Sequence, residues 1–424
     1  MNYSSLKSVR AGLMASVLMS LLPAFASAGT YDITVDNVII DTGDFKKTGI
    51  GYNGASPGPV LKFDEGEDVT INVTNNLKET TSIHWHGLIL PYQMDGVPDI
   101  SYDGIEPGET FTYKFPVVQS GTYWFHSHSG FQEPDGAYGA IVIKPKKRDP
   151  YRFDRDYVVQ FTDKHPHSGR RIMRNLKMMS DYYNRKQQTL ADFFKDSENN
   201  GSSETLADRM AWGSMRMMPT DIEDLQGFTP LINGKGPDQN WTGIFKPGER
   251  IRLRLINSSA MTYFDFRIPG LSLLVVAADG NNVQPVKVDE LRIGVAETYD
   301  VIVRPKEDKA FTIFAESMGR TAYARGTLAP REGMVADVPE MRDSPLLTMA
   351  DMGMDHGNMA GMDHSSMKGM MKDDMKGMDH SSMKDMKKDD MKGMDHSSMK
   401  GMKKDDMKRM DHSSMKGMKK DDMK

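Results

Sequence analysis

The sequence predicts an all-β protein with two β-domains, a helical segment between them and a low-complexity C-terminal tail. Short apolar runs alternate with Pro-Gly and Asp-Gly turn pairs over residues 29–148 and again over residues 227–330. Many short strands at regular spacing indicate a β-sandwich or a β-barrel. Residues 331–424 contain almost no Leu, Ile, Val or aromatic side chains, so this tail cannot bury a core.

Individual strands are predicted where β-branched and aromatic residues cluster. In the first domain, 29–148, these runs cover residues 69–73, 111–115 and 140–143. In the second domain, 227–330, residues 251–255 alternate apolar and charged side chains, which is typical of a β-strand.

The segment between the domains, 149–226, is predicted to be a helical linker or insertion. Residues 170–221 are charged, contain methionine and are poor in β-branched residues. Residues 199–203, Asn-Asn-Gly-Ser-Ser, are predicted to form its loop.

Residues 1–28 are predicted to be a secretory signal peptide. Lys7 and Arg10 precede an apolar run, and the segment closes on Ala26-Ser27-Ala28, a small-x-small cleavage pattern. A membrane anchor is the weaker alternative because the run is too short to span a bilayer, so no anchor is expected after cleavage. Since Arg10 is a single arginine, general secretion is favoured over the twin-arginine route.

The charge and cysteine counts exclude several classes of function. The formal net charge of -5 favours neither nucleic acid nor an anionic membrane as a partner. The chain contains no cysteine, so it cannot form a disulfide or provide the thiolate of a blue-copper centre.

Two histidine pairs are the main candidates for metal binding. His84 and His86 flank Trp85, and His126 and His128 flank Ser127. Alternate residues of a strand share a face, so each pair projects together. Four imidazoles in one cavity would suit zinc, copper, iron or nickel better than magnesium or calcium. The alternative is that these are unrelated surface or core histidines.

Four sequence runs resemble the first domain of multicopper oxidases, and most of all the periplasmic copper-resistance (CopA/PcoA-type) group. They are Ile83-His84-Trp85-His86-Gly87-Leu88, Met94-Asp95-Gly96-Val97-Pro98, Gly104 to Glu109, and Gly121 to Gly130 with its His126-Ser127-His128. Residues 234–305 are similar to that family's second domain. The resemblance covers residues 29 to about 330 and implies two cupredoxin-like Greek-key β-sandwich domains in the periplasm.

The resemblance implies copper as cofactor. It would assign His84 to the type-2 copper, and His86, His126 and His128 to the type-3 pair. It also implies that four further histidines and the type-1 copper site lie on a third cupredoxin domain, which nothing in this sequence matches. Asp95 would then be a proton relay beside the cluster, with an ordinary turn residue as the alternative.

The tail contains a sixteen-residue repeat that opens with Met-Asp-His-Ser-Ser-Met-Lys. Residues 331–424 hold 23 of the 36 methionines and five of the eleven histidines. Thioethers select Cu(I), and imidazoles also suit Cu(II). The repeats are predicted to be disordered copper ligands, with an incidental linker as the alternative. The candidate ligands are Met362, His364, Met367, Met378, His380, Met383, Met394, His396, Met399, Met410, His412 and Met415.

Two further groups have weaker signals. His165 and His167 flank Pro166 in a polar segment and are predicted to be surface histidines rather than a metal site. Met210, Met215, Met217 and Met218 surround Trp212, and helical packing is favoured over an auxiliary Cu(I) patch.

The leading functional hypothesis is an exported copper-binding protein that sequesters copper in copper resistance. The alternative is part of an O2-dependent multicopper oxidase that oxidises Cu(I) or phenols and is completed by a third domain, so enzymatic activity stays open. A copper-free scaffold is disfavoured because all four histidines of the two pairs are present. Expected partners are copper ions and either a separately encoded third cupredoxin domain or a copper chaperone.

Overall fold

The computed structural model describes residues 28–353. The chain divides into two units at residue 348, and every strand and helix named below belongs to the first unit. The predicted signal peptide, residues 1–28, lies outside the described residues except for Ala28, and the tail repeats, which start at Met362, also lie outside them. Within residues 28–353, no helix is long and apolar enough to cross a membrane.

The first β-sandwich consists of two four-stranded sheets. Its strands are β1 (Ala28–Asp41), β2 (Lys46–Tyr52), β3 (Leu61–Asp64), β4 (Asp68–Asn75), β5 (His84–His86), β6 (Thr110–Pro116), β7 (Gly121–His126) and β8 (Tyr138–Lys144). One sheet has the order β2-β1-β4-β6 and the other β3-β8-β7-β5. The core between them contains fully buried aromatic side chains, including Trp85, Tyr113 and Phe125.

The second β-sandwich consists of a six-stranded and a five-stranded sheet. Its strands are β9 (Arg155–Lys164), β10 (Thr229–Ile232), β11 (Trp241–Ile244), β12 (Ile251–Asn257), β13 (Phe264–Arg267), β14 (Leu273–Ala278), β15 (Asn281–Val288), β16 (Glu290–Ile293), β17 (Thr298–Val303), β18 (Phe311–Ser317) and β19 (Tyr323–Ala329). The sheet orders are β10-β9-β12-β17-β14-β15 and β11-β19-β18-β13-β16. The predicted all-β class with two sandwiches is confirmed.

The predicted helical segment is an insertion between two adjacent strands. Helices α1 (Gly169–Met178), α2 (Leu190–Asn200) and α3 (Ser202–Ser214) connect β9 to β10, which pair antiparallel. The side chain of Thr189 caps α2 through a reciprocal capping box with Asp192. Gly201, with a φ of +88°, is the only residue between α2 and α3, so the predicted five-residue loop is a single-residue turn.

The structure differs from the sequence prediction at both ends of this region. Residues 155–164, predicted as linker, form strand β9 of the second sandwich. Residues 331–348, predicted as tail, belong to the first unit, where the guanidinium of Arg342 bonds to the carboxylates of Glu316 and Glu290. Ion pairs of the partly exposed Arg342, one of them with the fully buried Glu316, hold this segment although it has few apolar side chains.

The charged positions of β12 are buried. Arg252 and Arg254 are 4% and 5% exposed, although an alternating pattern usually marks a solvated face. Arg254 donates hydrogen bonds to both oxygens of Asp156, each at 2.8 Å, and to Thr122 Oγ1 in the first sandwich, also at 2.8 Å. The first sandwich therefore covers this face of the six-stranded sheet of the second sandwich. Ion pairs and hydrogen bonds satisfy the buried arginine side chains.

Candidate metal centre

The two histidine pairs lie on neighbouring strands at one edge of the first sandwich. β5 pairs antiparallel with β7, and the register places His84 opposite His126 and His86 opposite Trp124. Because side chains alternate, Trp85 and Phe125 point into the core while the histidines project from the other face. Although β5 has only three residues, it therefore presents two imidazoles on the same face of the sheet as His126 of β7.

Three of the four imidazoles meet closely. One ring nitrogen from each of His84, His126 and His128 lies within 4.8 Å of the others. His86 lies beside this group, with its ring centroid 5.7 Å from His84 and 5.6 Å from His126. The structure thus brings all four predicted ligands together, three in a tight group and the fourth adjacent. Across residues 28–353 this is the one cluster of three or more His, Asp or Glu side chains with metal-ligand spacing.

Burial keeps most of these imidazoles neutral. Desolvation, together with the charges of the neighbouring histidines, lowers the pKa of His86 to about 4. Burial also lowers the pKa values of His84 and His128. Neutral imidazole is the form that binds a metal. These side chains consequently need to lose no proton at neutral pH to act as ligands.

The second nitrogen of His84 has a fixed partner. Its Nδ1–H donates to the backbone carbonyl of Asp95 at 2.8 Å, which leaves Nε2 free for a metal. The Asp95 carboxylate is 3.5 Å from the same nitrogen. Gly96, with a φ of +81°, permits this approach because a Cβ there would lie 1.8 Å from the carbonyl oxygen of Ile83.

Glu133, which no sequence motif pointed to, also contacts the cluster. Its Oε2 lies 3.0 Å from His126 Nδ1. Burial raises the pKa of Glu133, but the contact with His126 and the nearby charge of Lys164 outweigh burial, so its pKa lies below the ordinary value. Six residues, 127–132, separate Glu133 from His126, and most of them form a loop, where the two-residue spacing rule for strands does not apply.

Trp124 forms one wall of the site. Its ring stacks on His126 with centroids 4.1 Å apart and an interplanar angle of 12°. It also packs with Tyr138 and with Ile256 of the second sandwich. The aromatic wall therefore joins the histidine cluster to the interface between the two sandwiches.

The remaining sequence candidates lie elsewhere. His165 is buried at 7% exposure, so its prediction as a surface histidine is wrong; Lys47, the helical insertion and β9 enclose it, and His167 Nδ1 bonds to Tyr183. No third ligand completes a metal group with this pair within the described residues. Met210 is exposed on α3, whereas Met215, Met217 and Met218 are half-buried beyond its end. The candidate tail ligands lie outside the described residues.

The donor set fits a copper ion. Both ring nitrogens of His126 are buried without a hydrogen bond of ordinary geometry, and unpaired buried polar atoms are rare unless something binds there. Clustered imidazoles suit copper and other borderline metals.

Two family models of multicopper oxidases match residues 32–148 and residues 175–331, together more than half of the chain. The chain therefore belongs to the multicopper oxidase family, which implies copper as its cofactor. It is 54% identical over 360 residues to copper resistance protein A of Escherichia coli, covering 83% of this chain and 59% of that protein. It is 50% identical to copper resistance protein A of Pseudomonas syringae pv. tomato, covering 84% and 60%. The chain thus spans about three-fifths of the length of these relatives.

Solved structures show the same fold. The laccase from Botrytis aclada matches with a TM-score of 0.58 and 26% identity, over 75% of this chain and 55% of the laccase. The blue copper oxidase from Nitrosomonas europaea matches with a TM-score of 0.55 and 24% identity, over 76% of this chain and 97% of that one. The predicted cupredoxin-like class is confirmed.

Proposed function

We propose that this protein is an exported copper-binding protein of the periplasm that contributes to copper resistance by sequestering copper. The observation that carries the proposal is the group of three imidazoles within 4.8 Å, with a fourth beside it, in a chain 54% identical to a copper resistance protein. Neutral, buried imidazoles bind copper without a proton penalty. In this proposal His84, His86, His126 and His128 are the ligands.

Copper titration of the metal-free protein tests the ligand assignment. The double variant His84→Ala/His126→Ala should lose the copper bound by this cluster while circular dichroism stays unchanged. His167→Ala is the matched control, since it removes a partly buried histidine outside the cluster. Equal copper content in the double variant and the wild type would show that these histidines are not ligands.

The tail is proposed to add capacity for Cu(I). Its repeats place many thioethers on a chain that can wrap a soft ion, so affinity per repeat should be moderate and capacity high. Deleting residues 350–424 should lower Cu(I) stoichiometry sharply in an anaerobic titration. Unchanged uptake would leave the tail as a linker.

A second candidate is part of a copper-dependent oxidase. It is favoured by the exposure of His128 at the cluster and by relatives that extend beyond the matched region. A third cupredoxin-like domain or a chaperone supplying further ligands would be the partner. Because the sequence has no cysteine, the isolated protein should show no intense blue thiolate absorption and should not oxidise phenols. Sustained turnover by the purified chain would favour the oxidase instead.

A further inference from the structure

The loop that follows His128 folds back against the histidine cluster. It spans residues 129–137 and places Glu133 Oε2 3.0 Å from Nδ1 of His126. His126 is only 5% exposed. Its Nε2 has no hydrogen-bond partner, and the contact of its Nδ1 with Glu133 has the distance of a hydrogen bond but not the ordinary angles. A buried imidazole that binds a metal through one nitrogen needs an acceptor for the N–H of the other. Glu133 is the carboxylate placed to accept it.

We propose that Glu133 is the positioning residue of the metal centre: it accepts the Nδ1–H of His126, fixes that tautomer and leaves the Nε2 lone pair for copper. This inference rests on the proposed copper binding by the cluster. Glu133 is not a member of the group whose ligand atoms lie within 4.8 Å of one another. Its position beside His126 is therefore that of a supporting side chain and not of a ligand.

His84 provides an internal comparison. Its Nδ1–H donates to a neutral backbone carbonyl, that of Asp95, at 2.8 Å, with the Asp95 carboxylate farther away at 3.5 Å, whereas the nearest acceptor of His126 is a carboxylate at 3.0 Å. A carboxylate acceptor makes the opposite nitrogen a stronger donor to the metal than a carbonyl does. The two facing histidines of β5 and β7 are thus supported unequally, and His126 should be the stronger ligand.

Gln132 holds the loop so that Glu133 reaches its position. Its buried amide oxygen accepts hydrogen bonds from Thr81 Oγ1 at 2.7 Å and Ser127 Oγ at 2.8 Å. Its amide nitrogen donates to the carbonyl of Thr80 at 2.9 Å. These bonds pin the loop to the segment before β5 and to the second histidine pair at once. Such a satisfied buried network favours one loop geometry.

The second sandwich supports the same loop. Lys164 at the end of β9 is 1% exposed, donates from Nζ to the carbonyl of Pro134 at 3.1 Å, and lies 4.5 Å from the centroid of the Tyr138 ring. Pro134 directly follows Glu133. A domain that provides none of the clustered imidazoles therefore helps to place the side chain that orients one of them.

The tautomer of His126 in the metal-free, full-length protein tests the proposal directly. Protein labelled with 15N-histidine should show His126 protonated on Nδ1 at mildly alkaline pH, with the signal assigned from its loss in His126→Ala. Glu133→Ala should shift this population toward the other tautomer, and Glu133→Gln should retain it, since an amide oxygen still accepts. Wild-type His126 protonated on Nε2 would overturn the proposal even if a variant failed to fold.

Copper affinity gives the second readout. The signal of the cluster is the part of the Cu(II) electron paramagnetic resonance spectrum that disappears in His84→Ala/His126→Ala. Glu133→Ala should weaken this site about 10- to 100-fold, as loss of a ligand's supporting carboxylate does, and Glu133→Gln should recover most of the affinity. Glu109→Gln is the control, an exposed glutamate in the same sandwich.

The two possible failures are distinguishable. Glu133→Ala that matches the wild type in both affinity and tautomer would refute a positioning role while the cluster still binds copper. A wild-type protein whose cluster takes up no copper would instead refute the proposed function, and the tautomer would still report whether Glu133 orients His126.

Discussion

Replacing Arg254 by methionine should strongly destabilise the protein, because Arg254 links the two sandwiches through buried charge. Its guanidinium bonds to both oxygens of Asp156, to Thr122 of the first sandwich at 2.8 Å and to Asp300 at 3.2 Å. Asp300 is itself only 4% exposed. Methionine keeps much of the volume but leaves the Asp300 carboxylate buried beside Thr122, with Arg252 at the longer distance of 3.9 Å as the remaining cation.

The expected loss is about 3–5 kcal/mol, the usual cost of removing one partner from a buried ion pair. A surface pair costs far less, about 0–1 kcal/mol. Arg331→Met is therefore the matched control, since Arg331 and its partner Asp308 are 64% and 57% exposed. Both substitutions replace one arginine by methionine, so the difference between the two losses of stability measures the contribution of the buried network around Arg254.

The pH dependence sharpens this prediction. Burial raises the pKa of Asp300 above its ordinary value even though Arg254 lowers it. A raised pKa in the folded state means that stability is lost as pH rises through that value. Without Arg254 the pKa rises further, so the deficit of Arg254→Met relative to the wild type should grow with pH and shrink in acid, where a neutral Asp300 needs no cation.

Chemical denaturation of the metal-free variants, followed by far-UV circular dichroism at several pH values, provides the measurement. Separate transitions for the two sandwiches would be fitted individually, since multidomain proteins need not unfold in two states. Equal destabilisation by Arg254→Met and Arg331→Met, or a deficit that does not change with pH, would refute the view that this network joins the domains.

Three further predictions follow from other contacts. Gly96→Ala should cost about 1–3 kcal/mol more than Gly108→Ala in thermal unfolding, the usual cost of inserting atoms where there is no room. Both glycines have a φ near +80°, so backbone strain is shared, but only the Cβ at 96 would meet the Ile83 carbonyl, at 1.8 Å; equal costs would place the effect in backbone strain alone. Burial lowers the pKa of His165 from 6.5 to about 4, so the folded state favours the neutral ring. The stability that the neutral ring contributes is complete above pH 6.5 and is lost as pH falls toward 4. The free energy of unfolding of the wild type relative to His165→Gln should therefore decrease across that window, and a difference that stays constant with pH would contradict this prediction. Arg342→Met should speed proteolysis within residues 331–348, because it removes the bonds to Glu316 and Glu290. Arg331→Met is the control, and equal rates of cleavage in the two variants would show that other contacts hold the segment.

Local patterns in the sequence were enough to predict the fold class and the four histidines that the structure brings together. Strand alternation required His84 and His86 to share a face, as it did His126 and His128, because the side-chain period of a strand is two residues. The β-strands over 69–73, 111–115 and 140–143 were predicted correctly for a similar reason, since local composition and turn pairs mark them. The signals involved are local, so no tertiary information was needed.

Which side chains surround the histidines, and which charged residues are buried, depends on contacts between segments that are far apart in the chain. Glu133 reaches His126 through a loop, and Lys164 bonds to that loop from the other sandwich; no periodic pattern encodes such contacts. The same reason explains the buried Arg254, whose alternation with leucines is typical of a solvated face until another domain covers it. It explains His165 as well, which is buried because the helical insertion packs over a polar segment. Local sequence specifies which side chains a strand places on each face, whereas the packing of distant segments determines which residues those side chains contact.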